Sequence, residues 1–193
     1  MRYIDDIFDK RYLDETIQKL KHTAWYPTNV ANSYTWPYYE KGTHKLLGDV
    51  FFERKSIDVI KYSLTNTDLS YELIDAYYAI MRRFERKLVL QGIYSNLQFK
   101  GMDGTPHEDS THEDDYAYIW MLGDEDVDNE GGEFVNVTRD EVVPYKYGRV
   151  IEIRAKDTHY GKAFTTPFKC RISFKFVGTD GLYKDDWIKV TRK

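Results

Sequence analysis

Apolar residues recur at helical spacing over residues 9–25, where Tyr12, Leu13, Ile17, Leu20 and Ala24 fall on one face, Asp9 offers an N-cap and Pro27 stands just past the end. The pattern predicts an amphipathic helix. A second helix is predicted over 68–90: Leu73, Ala76, Tyr77, Ile80 and Phe84 share a face, Thr67 or Asp68 can cap its start, and Gly92 follows its end. The basic cluster Arg82, Arg83, Arg86 and Lys87 falls in its last turns, where positive charge complements the helix dipole. Between the helices, the Tyr-, Trp- and Pro-rich residues 33–43 predict a surface loop, and a short strand follows over 46–52.

After Gly92 the period of the pattern changes. Short β-like runs at 93–99, 116–122, 133–137, 149–154, 169–177 and 187–191 are separated by turns, a spacing that suggests a sandwich or barrel. Helices come first and strands second, so the pattern predicts an α+β chain with helices packed on the outside of a β-sandwich. In the run KCRISFKF, alternation puts Arg171, Ser173 and Lys175 on one face and Cys170, Ile172, Phe174 and Phe176 on the other.

Length and composition narrow the picture. The 193 residues are expected to form one domain, 1–91 a mainly helical support and 92–177 the β core. Seventeen tyrosines favour half-buried sheets over a helical bundle. A net charge of -4 gives no general attraction to nucleic acid or anionic membrane, and no apolar run reaches the length of a membrane span. With Cys170 the sole cysteine, no intramolecular disulfide or cysteine-rich zinc module can form, and the expected compartment is the reducing cytoplasm.

The candidate chemistry begins at His107 and Asp109, two residues apart and therefore able to share a strand face. A second imidazole would complete a two-histidine, one-carboxylate face, which suits non-haem Fe(II) and leaves three coordination positions open. Taken alone, the pair fits an exposed acidic loop equally well, and His-Glu-Asp recurs at His112 to Asp114. Of the other histidines, His22 and His44 lie in the helical half, while His159 follows the predicted strand 149–154, with enough chain behind it to return beside the first pair. Arg171, if inward, would need an anion, and its planar fork suits a carboxylate with the Ser173 hydroxyl as a further donor; if outward, it would make a surface ion pair. Asp124, Asp126 and Asp128 start with calcium-loop spacing, but Asn129 and Val135 stand where that loop needs glycine and glutamate.

In chain order, HEDS at 107–110, GGEF at 131–134, GRVIEI at 148–153, and His159 followed by CRISFKF resemble the Fe(II)- and 2-oxoglutarate-dependent oxygenases, specifically the small prolyl 4-hydroxylase-like branch, over roughly 92–177. The resemblance implies a double-stranded β-helix of the jelly-roll type with helices outside. Fe(II) would be held by His107, Asp109 and His159, and 2-oxoglutarate by Arg171 and Ser173, with Gln98 and Asn96 on the strand leading into the site. Gln98 stands near where many relatives carry a tyrosine. O2 would be the other cosubstrate and ascorbate a reductant, with no catalytic side chain beyond the metal ligands. The implied substrate is a peptide, first a peptidyl proline, or a small molecule. Collagen-type enzymes usually carry lysine where Arg171 stands. The first His-Glu-Asp is preferred as ligand pair because a Gly-x-Asp-Gly turn precedes it as in relatives, which leaves His112 and Asp114 to a solvated loop. Two other classes are a non-enzymatic, cupin-like ligand-binding jelly roll and a nucleic-acid demethylase, the latter disfavoured by the acidic balance. Oligomeric state is left open, and 33–43 and 161–167 are the candidate lids.

Overall fold

The computed structural model describes residues 1–26, 46–56, 59–62, 67–125, 130–167 and 169–179. Strand β1 (Arg2–Ile4) leads into helix α1 (Lys10–Lys21), whose first turn is capped by the Asp9 carboxylate accepting from the Tyr12 amide at 2.8 Å. Strands β2 (Leu47–Ser56) and β3 (Val59–Tyr62) precede helix α2 (Thr67–Arg83). The remaining strands are β4 (Val89–Gln98), β5 (Asp115–Gly123), β6 (Phe134–Asn136), β7 (Glu141–Val143), β8 (Val150–Arg154), β9 (His159–Gly161) and β10 (Arg171–Thr179).

Seven of these strands form a sheet in the order β1-β8-β5-β10-β4-β2-β3, and three form a smaller one, β7-β6-β9. Every pairing is antiparallel. Strand β5, inside the large sheet, is buried on both faces, which explains why its YAYIWML reads as a continuous apolar run. Tyr118, Trp120 and Leu122 pack with Phe174 and Phe176 of β10 against Leu13, Ile17 and Leu20 of α1 and Leu73, Tyr77 and Ile80 of α2. On the opposite face Ala117, Ile119 and Met121 meet Phe134, Val143, Tyr145 and Phe164 from the small sheet and its connections.

The architecture is the predicted jelly roll with helices outside, but several boundaries move. The second helix stops at Arg83, not at residue 90: Glu85 takes φ 55° and the Arg86 amide bonds back to the Met81 carbonyl, which closes the helix end. From there strand alternation takes over, with Leu88 and Leu90 buried and, after a register shift against β10, Ile93, Ser95 and Leu97 buried, so Gly92 lies inside β4 and is no helix cap. Arg86 accordingly leaves the helix and forks onto Glu152 of β8 at 3.0 and 3.3 Å. The N-terminal half contributes β1, β2 and β3 to the large sheet as well as its two helices. The predicted strand at 187–191 and the loop at 33–43 lie outside the described residues. Among those described, no helix is long and apolar enough to cross a membrane.

Candidate metal centre

Beyond β4 the chain turns at Gly101 (φ 82°) and runs back along β9. The Gly104 amide bonds to the Gly161 carbonyl at 2.8 Å, and the His107 and His159 backbones exchange both hydrogen bonds at 3.1 and 2.9 Å. This pairing makes the two imidazoles cross-strand neighbours, with ring centroids 4.6 Å apart. The Asp109 amide bonds to the Ala155 carbonyl just after β8, which fixes the carboxylate between the rings.

Each imidazole is oriented by a backbone carbonyl. His107 Nδ1 lies 2.8 Å from Thr105 O and His159 Nδ1 2.6 Å from Asp157 O, and since a carbonyl only accepts, both Nδ1 atoms carry the proton. The Nε2 lone pairs are left pointing at Asp109, whose Oδ1 is 3.4 Å from His107 Nε2 and whose Oδ2 is 3.3 Å from His159 Nε2. Ligands about 2.1 Å from a metal and at right angles lie about 3 Å apart, so the spacing suits a shared cation. Asp109 Oδ2 and His159 Nε2 are buried with no hydrogen-bond partner, a costly arrangement unless a ligand joins them. Burial pushes the Asp109 carboxyl up, but the charge of the Lys175 ammonium leads the opposing interactions that hold it well below the usual carboxylate range. Among the described residues, His107, Asp109 and His159 are the group that could hold a metal ion. The second His-Glu-Asp is a surface turn: His112 and Asp114 are exposed, and Asp115 bonds back to His112.

Arg171 opens β10 on the inner face and is 1% exposed. Its Nε donates to Gly132 O at 3.1 Å, and its Nη1 to Gln98 Oε1 at 2.6 Å and to Ser173 Oγ at 3.1 Å. All three acceptors are neutral, and Nη2 is buried without a partner. Burial lowers the guanidinium to about 10, opposed by the nearby Tyr145 and Glu133, neither of which hydrogen-bonds it. Asn96 Oδ1, on the same strand face as Gln98, is also buried and unpartnered. One cavity is lined by Asn96, Gln98, His107, His159, Arg171, Ser173 and Lys175, with Leu46, Ile119 and Phe134 as its apolar wall. A buried cationic fork and a metal-ligand face thus share one cavity, an arrangement able to bind a molecule with an anionic group at each end.

Residues 161–167, a candidate lid, are fastened down: Phe164 is 1% exposed, Ala163 N donates to Asp103 Oδ1, and Thr165 N to Glu130 O. That segment is an anchored connection. Two contributors went unassigned from the sequence. Lys175 donates to Asp109 Oδ1 at 2.6 Å, a placement that its alternation with Arg171 and Ser173 already made possible. Gly161 leaves room for the guanidinium, since a Cβ there would sit 2.9 Å from Arg171 Nη1.

No family model matches the sequence, and no curated protein matches it. Solved structures do match. An oxidoreductase of the 2OG-Fe(II) oxygenase family from Burkholderia pseudomallei superposes with a TM-score of 0.69 at 16% identity, covering 92% of this chain and 84% of that one. HygX from Streptomyces hygroscopicus, solved with nickel and 2-oxoglutarate bound, gives 0.60 at 9% identity over 93% and 82%. A prolyl-4-hydroxylase from Pseudomonas putida gives 0.58 at 10% identity over 93% and 92%. With its His-Asp-His cluster between the sheets, the chain is built on the jelly-roll fold of the 2-oxoglutarate- and Fe(II)-dependent oxygenases.

Proposed function

We propose that this protein is an Fe(II)- and 2-oxoglutarate-dependent dioxygenase that hydroxylates an organic substrate, with peptidyl proline the first candidate. The observation that carries the reading is the buried, unpartnered Nη2 of Arg171 in the same cavity as the His-Asp-His face. His107 Nε2, His159 Nε2 and an oxygen of Asp109 would hold the metal. Arg171 would clamp the distal carboxylate of 2-oxoglutarate, oriented by Gln98 and Ser173, with Asn96 Oδ1 free to accept a hydrogen bond beside it. When bound, Fe(II) and 2-oxoglutarate supply the activation of O2, with ascorbate to keep the metal reduced; the protein supplies position and a dry cavity. The apolar wall of Leu46, Ile119 and Phe134 excludes water from one side, and no protein acid or base is needed.

The choice of proline rests on the likeness to prolyl-4-hydroxylase structures, and one fold serves many substrates. A small-molecule substrate fits the same site, and the single cysteine fits a cytoplasmic setting. The test is turnover of labelled 2-oxoglutarate with Fe(II), ascorbate and O2, scored as succinate or CO2. Release by the wild type and not by a His107→Ala, Asp109→Ala double variant is expected. No release, together with no Fe(II)-dependent binding of 2-oxoglutarate, would replace this reading with a non-enzymatic, cupin-like binding domain.

A further inference from the structure

Asp109 has two oxygens, and the fold treats them differently. Oδ2 lies 3.3 Å from His159 Nε2 with no hydrogen-bond partner, whereas Oδ1, 3.4 Å from His107 Nε2, accepts a 2.6 Å hydrogen bond from Lys175 Nζ. The lysine is held in turn. In the register of β10 on β4, Lys175 stands opposite Tyr94, and its Nζ lies 5.1 Å from the centroid of that ring. The ring occupies the space above Gly92, where a Cβ would fall 2.3 Å from a ring carbon. Gly92, Tyr94, Lys175 and Asp109 therefore form a buttress that ends on the carboxylate.

We propose, on the reading of the site as a metal centre, that Lys175 is a positioning residue which holds Asp109 by Oδ1 and thereby dedicates Oδ2 to the metal as a one-oxygen ligand. A carboxylate able to rotate about its Cβ–Cγ bond can present either oxygen, or chelate through both and occupy a coordination position that cosubstrates need. A charge-assisted hydrogen bond to one oxygen blocks that rotation. Removing the ammonium also removes a positive charge near the cation, an effect that would tighten metal binding. The two effects thus push affinity in opposite directions and can be told apart. Loss of an orienting partner of a metal ligand commonly costs about 10- to 100-fold in affinity, and the Lys175 assignment places this site in that class.

The experiment is titration of the metal-free protein with Co(II), whose visible absorption reports the number and geometry of its ligands. Wild type, Lys175→Met and Lys175→Arg are compared, with circular dichroism and melting to verify that each is folded. Lys175→Met is expected to bind Co(II) about tenfold more weakly and with a changed absorption band, and Lys175→Arg to keep the wild-type band. Binding by Lys175→Met at or above wild-type affinity overturns the assignment. So does weaker binding with an unchanged band, which reports a loosened fold. Failure of the wild type itself to bind Co(II) overturns the metal-centre reading along with it, whereas the other two outcomes remove only the role of Lys175.

Discussion

A guanidinium that is 1% exposed and donates only to neutral acceptors is an expensive residue to retain, and its neighbours show what makes room for it. Gly161 lies against it so closely that an added methyl would meet Nη1 at 2.9 Å, Cζ at 3.0 Å and Nη2 at 3.1 Å. The guanidinium cannot swing away without breaking its bonds to Gly132, Gln98 and Ser173. Gly161→Ala should therefore weaken 2-oxoglutarate binding by about tenfold, on the order of 1.4 kcal/mol, and leave Co(II) affinity unchanged; calorimetric titration of the metal-free variant with Co(II), then of the loaded variant with 2-oxoglutarate, checks both. At this scale much was legible. His107 with Asp109, and Arg171 with Ser173, stand two apart in the sequence, a spacing that can put side chains on one side, but the first pair fitted an acidic loop equally well until the structure set it beside His159. The partner of Asp109 was not legible, because Lys175 lies 66 positions away and only the seating of the 104–109 segment along β9 brings the carboxylate within its reach. Gly161 was equally silent, since a residue that matters by lacking a side chain leaves no chemical signature.

At the scale of elements, the strong periods survived and the short pieces did not. Helix α1 forms where the 3.6 period and the Asp9 cap agree, and β5 and β10 form where apolar runs or strict alternation exceed six residues. Strands β7 and β9 are three residues each, too short to establish a period, and they exist because β6 pairs with both. The overrun of the second helix has a similar cause: Phe84 and Leu88 continue its apolar stripe, and only the positive φ of Glu85 ends it. The β1–α1 connection carries a test of its own. Asp5 accepts from Arg149 Nε at 2.6 Å and Nη2 at 3.0 Å and from Lys146 Nζ at 2.8 Å, while the same guanidinium lies 4.2 Å from the Tyr3 ring centroid. The Arg149 hydrogen bond, aided by Lys146 and opposed by burial, lowers the Asp5 carboxyl from 3.8 to about 2. Because the folded value lies below the unfolded one, this tether stabilises the fold fully above about pH 4 and loses its effect as the pH falls through about 2. Urea midpoints of wild type and Asp5→Asn should differ at pH 6 and converge near pH 2; a constant gap across that range would dissociate the tether from Asp5 ionisation.

On the scale of the whole molecule, the large sheet acts as a partition. Its outer face and the two helices hold the larger apolar core, while the inner face and the small sheet hold the ligands and a smaller core that includes Phe134. Stability and site geometry are therefore placed on opposite sides of the same strands: in β10, Ile172, Phe174 and Phe176 face the helices, and Arg171, Ser173 and Lys175 face the cavity. The partition predicts that damage to the outer core should separate cleanly from damage to the site. Leu20 is fully buried between α1 and the sheet, so Leu20→Ala removes several methylenes from the outer core and should cost about 2–5 kcal/mol, lowering the melting temperature by about 5–15 °C. Co(II) affinity measured well below the transition should stay at the wild-type value, since no inner-face contact changes. Phe134→Ala should behave differently, because the ring lies 5.4 Å from that of His159 on the cavity side. There, loss of packing and loss of metal affinity should appear together. If Leu20→Ala weakened Co(II) binding as much as Phe134→Ala does, the sheet would be transmitting outer-core strain to the ligands and the partition would not hold.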